Sequence, residues 1–382
     1  MRRIPPLDGL RGIAIGLVVL HHYIYQFHMP MPEFLSAILF PITEVGWSGV
    51  DLFFVLSGFL IGGILVDAKE SENYYRTFYI RRAFRILPVY LVLLFAGILL
   101  MKLELHGLQA MKNVSFPPAT WIYYLTFTQN FYFARHTETI SYLLVTWSLA
   151  VEEQFYLTLP LLVRKVSKER LLVVAFGMVL FVCALRSVLY WYGIINTMQA
   201  YVLPFFRFDS LFMGVGCALL LRDQKCSSWI QRHPGILIAS TILSGCAFCF
   251  MDHHLWTRNL LLHTVGFTVI ALFYACLMMF VLVRPQGVLS RMFSYMPLIR
   301  LGTISYCVYL IHGPVIAIAD MLTRVVLGPS EVQMWAATTL AIVMILALAW
   351  LSWAVFESRM VALGHQFTYE RIKAPQTATI PG

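Results

Sequence analysis

The sequence predicts an all-α membrane bundle of ten spanning helices with both termini in the cytosol, and three observations carry that expectation. Only 12% of the 382 residues are charged while 59% are hydrophobic, with a mean hydropathy of +0.75. Soluble domains carry about 25% charged residues. The apolar residues also fall in blocks close to the roughly 20 that cross a bilayer core. Finally, threading those blocks through a membrane puts the Lys and Arg residues overwhelmingly on one side.

The blocks are 10–29, 47–66, 86–101, 143–163, 170–192, 200–221, 235–251, 259–283, 297–323 and 334–356, of which the third and seventh are short. The first lacks a small-x-small cleavage pattern and precedes nine others, so it is a helix and not a signal peptide. Stretch 119–133 is aromatic but too short to span, and belongs at the interface or in a re-entrant loop. With an inner N-terminus, 21 of the 28 Lys and Arg residues lie on inner segments, and only Lys102, Lys112, Arg135, Arg258 and Arg324 lie outside. This is the positive-inside pattern. The net charge of +9 therefore reports topology, and nucleic acid is excluded as its cause.

None of the seven cysteines falls in an outer loop, so no structural disulfide is expected. The Cys246-x-x-Cys249 pair lies inside an apolar block without a second ligand pair, which favours packing over a metal or redox site. No metal site is expected. One membrane domain occupies 1–360, and 361–382 is an inner tail, polar and fraying from 364 onward. Any chemistry then belongs to the membrane part.

A charge in the bilayer core costs several kcal/mol, so each ionisable residue in a span is a candidate functional group, weighed against a structural ion pair. In LDGLRGIAIGLVVLHHY, His22 follows Arg11 by eleven residues, about 16 Å along a helix and near the midplane. Eleven residues are three turns plus about 20°, so Arg11 and His22 share a face while His21 points elsewhere. Asp51 enters the second block. Glu152 and Glu153 are adjacent in the fourth and point about 100° apart. Arg186, Arg207 and Asp209 occupy the outer half and can neutralise one another in a salt-bridge network that also lines an outward cavity. His312 in the ninth block also reaches mid-membrane, followed by Gly313-Pro314, which should kink the helix. It is the rival histidine. In the second inner loop, YIRRAFRILP sets Arg82 and Arg85 three apart on one helix face, a spacing fit for phosphate as well as for lipid headgroups.

Taken together, LDGLRGIAIGLVVLHHY (7–23), GVDLFFVLSGFLI (49–61), YIRRAFRILPVY (79–90), WSLAVEEQFY (147–156), FRFDSLFMGV (206–215) and SYCVYLIHGPV (305–315) resemble the membrane-bound acyltransferase-3 family over roughly residues 1–360. The resemblance implies that His22 is essential to acyl transfer, that Arg82 and Arg85 contact acyl-CoA, and that Arg11, Glu152 and Glu153 match the family's polar motif residues. It implies acylation of an extracytoplasmic carbohydrate or another hydroxyl acceptor, in a bacterial cytoplasmic membrane. Some relatives carry a C-terminal hydrolase-like domain. This sequence ends soon after its tenth block, so no relay to such a domain is expected.

The expected reaction moves an acyl group, acetyl first among candidates, from cytosolic acyl-CoA to an outer hydroxyl. Acyl-CoA is a cosubstrate, and no permanently bound cofactor is expected. Arg82 and Arg85, with Arg11, would hold its phosphates. His22 would serve as general base or transient acyl carrier. Glu152, Glu153 or Asp51 would orient the imidazole or line the acceptor cavity, together with Arg186, Arg207, Asp209 and His312. Two other classes compete. An exporter of a glycan-linked product predicts flux without CoA, but no inverted repeat or pair of broken helices is evident. An inert scaffold has no need for a mid-membrane histidine above an arginine.

Overall fold

In the computed structural model, residues 4–26, 29–102, 120–136, 143–252 and 260–370 are described. Expectations for Arg2, Arg3, Lys112, Arg258, Arg371 and Lys373, for most of the 102–142 loop and for the tail beyond 370 lie outside them. Among the described residues the chain is helical with no β-strand.

In chain order the helices are α1 (Pro5–Leu20), extended by a wide π-turn at His21–Tyr25, α2 (Glu33–Glu44), α3 (Gly49–Asp67), α4 (Tyr74–Lys102), α5 (Thr120–Leu125), α6 (Gln129–Arg135) and α7 (Thr146–Lys165). There follow α8 (Lys168–Trp191), α9 (Thr197–Val202), α10 (Phe208–Arg222), α11 (Gln224–Arg232), α12 (Pro234–Asp252), α13 (Phe267–Val283) and α14 (Val288–Phe293). The last three are α15 (Met296–Leu327), α16 (Glu331–Ser352) and α17 (Ser358–Gln366).

Among the described residues, seven helices are long and apolar enough to cross a membrane: Pro5–Tyr25, Glu33–Asp67, Lys168–Trp191, Pro234–Met251, Leu262–Val283, Met296–Leu327 and Glu331–Gln366. The chain is an integral membrane protein. The other three expected blocks are also helical, in α4, α7 and the α9–α10 pair, without meeting that standard. Helix α2 lies outside every expected block.

Local chemistry explains the boundaries. Pro5 and Pro6 open α1, where a missing N–H costs nothing. Ser167 and Ser330 cap α8 and α16, accepting from the Arg170 and Gln333 backbone N–H groups. The sixth block is broken after Val202 because Pro204 starts a 3-10 turn, and the break frees the Phe206 carbonyl. By contrast, α15 runs unbroken through Gly313-Pro314.

Helix α3 lies at the centre, while α12 and α16 are peripheral and largely exposed to the surroundings. Two close crossings organise the bundle. At Gly58 of α3 and Gly214 of α10, an added Cβ would strike the backbones at Leu211 and Val55 respectively. Gly12 of α1 and Gly302 of α15 meet the backbones at Leu298 and Asp8 in the same way. Small residues let helices approach this closely where lipid supplies no hydrophobic drive between them.

Buried ion pairs add a second tie. Arg186 of α8 bonds Asp209 at 2.8 Å and also reaches the Thr264 and Phe206 carbonyls and the Thr268 hydroxyl. Arg207 meets Asp51 of α3 at 2.7 Å, Ser210 donates to the same Asp51 oxygen, and the guanidinium lies 4.1 Å from the Phe267 ring centre. All four charged side chains have no exposure.

Two expectations are corrected. Cys246 and Cys249 lie exposed on α12, not packed inside, because that helix sits at the periphery. The segment 364–370 does not fray but returns to α4. There Arg81 Nε donates to the Phe367 carbonyl at 2.7 Å, and Asn73 bonds both the Thr368 carbonyl and the Glu370 N–H, at 2.9 and 3.0 Å.

Candidate active site

Two cavities open into the bundle and abut at Val50 and Tyr309, which line both. The first, about 350 Å³, has Arg11, Arg82, Arg85 and His365 at one end. It follows α3 from Ile64 to Val50, about 21 Å at 1.5 Å per residue. Along the way it passes Ser57, Glu152 and Tyr156, and it ends at Ser148 and Tyr309. The second, about 600 Å³, takes in His21, His22 and Gln26 from the π-turn, Trp47, Trp147 and the 196–202 stretch around α9.

The waist between them is built from hydroxyls. Tyr309 Oη donates to the Val145 carbonyl at 3.0 Å and lies 2.6 Å from Ser148 Oγ, which itself reaches Val145 at 3.2 Å. Tyr309 can occupy this place because α15 also carries Tyr306, whose hydroxyl fastens the helix to the Ile86 carbonyl of α4 at 2.9 Å.

His22 is half-buried in the π-turn, a distortion common at functional sites. Its Nδ1 lies 2.8 Å from the Val18 carbonyl. A carbonyl only accepts, so Nδ1 carries the hydrogen and Nε2 of the neutral ring keeps the lone pair. His312 is fully buried behind it, with Nδ1 2.7 Å from the Tyr309 carbonyl and Nε2 without a hydrogen-bond partner among the described residues. The Tyr23 hydroxyl donates to the His312 carbonyl at 2.9 Å, locking the π-turn to α15. His21 lines the same cavity as His22, with its Nδ1 held by the Thr43 carbonyl at 2.8 Å.

At the arginine end, Arg11 pairs loosely with Asp8 at 3.8 Å. Glu152 stands in the same cavity as Arg11, Arg82 and Arg85, while the Ser57 and Tyr156 hydroxyls bond each other beside it. Of the twelve polar or charged side chains that line this cavity along its length, the three guanidiniums are the ones suited to bind a polyanion bidentately.

The residues singled out in the sequence thus divide. Arg11, Arg82, Arg85 and Glu152 share the first cavity, and His22 lines the second. Glu153, Asp51, Arg186, Arg207, Asp209 and His312 are not among the lining residues of either. Asp51, Arg186, Arg207 and Asp209 are consumed by ion pairs at the α3–α8–α10 junction. Glu152 shares its cavity with the three arginines, and Asp51 is paired with Arg207. Sequence reasoning passed over Tyr309, Ser148 and His365. Tyr309 had a signal, since it lies three residues before His312 and shares its helix face. Ser148 and His365 had none.

Comparison with known proteins matches residues 4–354 to the family described as an acyltransferase domain. The peptidoglycan O-acetyltransferase OatA of Listeria monocytogenes is 28% identical over 352 residues, covering 87% of this chain and 52% of that protein. The O-acetyltransferase OatA of Staphylococcus aureus is 27% identical over 345 residues, covering 84% of this chain and 51% of the relative. The chain therefore spans about half the length of the curated relatives it matches. No solved structure matches it. With the family profile covering nearly the whole chain, the protein belongs to the membrane-bound acyltransferase-3 family.

Proposed function

We propose that this protein transfers an acetyl group from acetyl-CoA in the cytosol to a hydroxyl of an envelope glycan on the outer side of a bacterial cytoplasmic membrane. The observation that carries the reading is the pair of cavities meeting at Tyr309, with guanidiniums at one far end and a basic imidazole nitrogen in the other. Neither cavity alone would serve. A charged nucleotide must stay in water, whereas its acyl group must reach an acceptor on the opposite side.

The topology proposed has ten spans and both termini inside, on the strength of the positive-inside bias. This puts the arginine end in the cytosol. Acyl-CoA is then a cosubstrate, with its phosphates held by Arg82 and Arg85 and assisted by Arg11, and its pantetheine arm extended along α3 toward Tyr309. The acceptor enters the larger cavity from outside. The acetylated peptidoglycan named for the relatives supports a glycan hydroxyl as acceptor.

His22 Nε2 takes the proton as the acceptor oxygen attacks the thioester carbonyl. The C–S bond then breaks, and the proton passes to the departing CoA thiolate. Alternatively, Nε2 attacks the thioester carbonyl first, the C–S bond breaks and the CoA thiolate leaves. The acceptor oxygen then attacks the acetyl carbonyl, the C–N bond breaks, and the hydroxyl proton passes to the thiolate or to water. Both routes need the lone pair that the Val18 hydrogen bond leaves on Nε2. Single-turnover quenching with labelled acetyl-CoA and no acceptor separates them, since only the second route leaves label on the protein.

The test is transfer by the purified full chain in proteoliposomes, with labelled acetyl-CoA and a soluble glycan fragment. Mass spectrometry of envelope glycans from cells with and without the protein complements it. A gain of one acetyl unit that depends on the protein supports the reading. Glycan export without any acetylated product would replace it with transport.

A further inference from the structure

The family match ends at residue 354, yet the chain from 358 onward is built onto the arginine end of the bundle. Helix α17 packs on α4 at Gly364, where an added Cβ would press on Phe84 at 3.0 Å. Beyond it the backbone is held by Arg81 at Phe367 and by Asn73 at Thr368 and Glu370. The Glu72 N–H closes the same turn on the Glu370 carbonyl at 3.2 Å. Four hydrogen bonds to backbone over four residues make this a fastened strap.

The strap walls a small cleft. A space of about 60 Å³ lies among Arg81, Arg82, Arg85, Gly364, His365 and Tyr369. It shares Arg82, Arg85 and His365 with the 350 Å³ cavity, so the two adjoin at the guanidiniums. At about 10–15 Å³ per water-sized probe, the space suits one tetrahedral anion or about four to six waters. Tyr369 forms part of its wall, and the Tyr369 hydroxyl is buried with no hydrogen-bond partner among the described residues, an arrangement that costs stability. The Tyr369 ring lies under Arg81, 5.2 Å from its guanidinium carbon. Burial pushes the phenol above its ordinary pKa, with Arg81 and Arg82 opposing, so it remains a proton donor at neutral pH. A donor without an acceptor, beside the Arg81 and Arg82 guanidiniums, is suited to an anion.

We infer that the segment 365–370 completes the nucleotide site, with the Tyr369 hydroxyl donating to the ribose 3′-phosphate of acyl-CoA beside Arg81 and Arg82. This rests on the cosubstrate assigned above and deepens it. The cleft lies at the end of the first cavity farthest from Tyr309 and the thioester. In acyl-CoA the phosphate farthest from the thioester is the ribose phosphate, whereas the pyrophosphate joins the arm directly and falls to Arg11, Arg82 and Arg85.

The experiment measures binding of acetyl-CoA and of 3′-dephospho-acetyl-CoA to the full chain in lipid nanodiscs. Tyr369→Phe removes one hydroxyl and keeps the ring against Arg81. A hydrogen bond to a charged group predicts about tenfold weaker acetyl-CoA binding, with dephospho-acetyl-CoA bound as by the unaltered protein. Asn73→Ala cuts two of the strap's bonds without entering the cleft. It should raise hydrogen exchange over 364–370 and lower affinity for acetyl-CoA alone. If Tyr369→Phe weakens both ligands equally, or neither, the ribose-phosphate assignment is overturned. If the unaltered protein binds neither ligand, or binding survives Arg82→Ala with Arg85→Ala, the cosubstrate reading itself fails and takes the strap's role with it. Loss of binding in the double arginine variant alone, with Tyr369→Phe unchanged, leaves the cosubstrate reading standing and removes the strap.

Discussion

His22 and His312 meet edge to face, with ring centroids 4.7 Å apart and planes inclined by 69°. Each directs Nδ1 to a backbone carbonyl on its own helix, Val18 for one and Tyr309 for the other. Only His22 reaches a cavity wall. The pair is therefore asymmetric, a half-buried imidazole on a cavity wall packed against a fully buried one.

This asymmetry separates two substitutions. His22→Ala should reduce acetyl transfer by at least about 10²-fold, the usual contribution of a positioned general base, with acetyl-CoA affinity unchanged. His312→Asn removes only the backing ring, so residual transfer should exceed that of His22→Ala. Equal loss in both, with both proteins folded, would make the two imidazoles one functional unit.

At the other end, Arg82→Lys and Arg85→Lys test geometry and not charge. A lysine keeps the charge but not the two-pronged donor set that matches a phosphate. The double Lys variant should insert normally, as judged by glycosylation or cysteine-labelling topology maps, and still bind acetyl-CoA about tenfold more weakly. Unchanged affinity would assign these arginines to lipid headgroups instead.

The waist makes its own prediction. Tyr309→Ala removes the hydroxyl that bonds Val145 and approaches Ser148, and with it the ring between the cavities. Water then has access from the outer cavity to the thioester. Transfer to the glycan should fall, and acetyl-CoA hydrolysis without acceptor should rise above that of the unaltered protein, because sealing a site is what prevents side reactions. A coupled assay of free CoA against acetylated glycan reads both.

The buried ion pairs should behave as structure. Asp51→Asn leaves the Arg207 guanidinium without its counter-charge at a site of no exposure. Breaking such a pair costs about 3–5 kcal/mol, which thermal unfolding in detergent would show as a large fall in midpoint. In the fraction that remains folded, the acetyl-CoA dissociation constant should match that of the unaltered protein.

Much of this was legible in the sequence because its determinants are local. The apolar blocks are helical among the described residues, the sixth with a break at Pro204. The eleven-residue spacing carried His22 from Arg11 in α1 to the π-turn that extends it. The three-residue spacing of Arg82 and Arg85 put both on one wall. What the sequence could not reveal depends on distant pairing. Asp51 and Arg207 are far apart in the chain, and nothing near either residue names its partner. The role of Tyr309 depends on which helix α15 faces, and that is decided by Gly12 and Gly302 meeting across the α1–α15 crossing. The strap was misjudged for the same reason. A polar segment looks free until Arg81 of α4 and Asn73 in the turn before it are seen to hold its backbone.

The central claim is that a donor and an acceptor approach one imidazole from opposite faces of the membrane. Sealed vesicles of known orientation test it directly, with labelled acetyl-CoA supplied only on the face bearing Arg82 and Arg85 and a glycan fragment enclosed on the other. Label on the enclosed glycan, absent with His22→Ala, is the predicted result. Acetylation only when both reactants share one face would contradict the account.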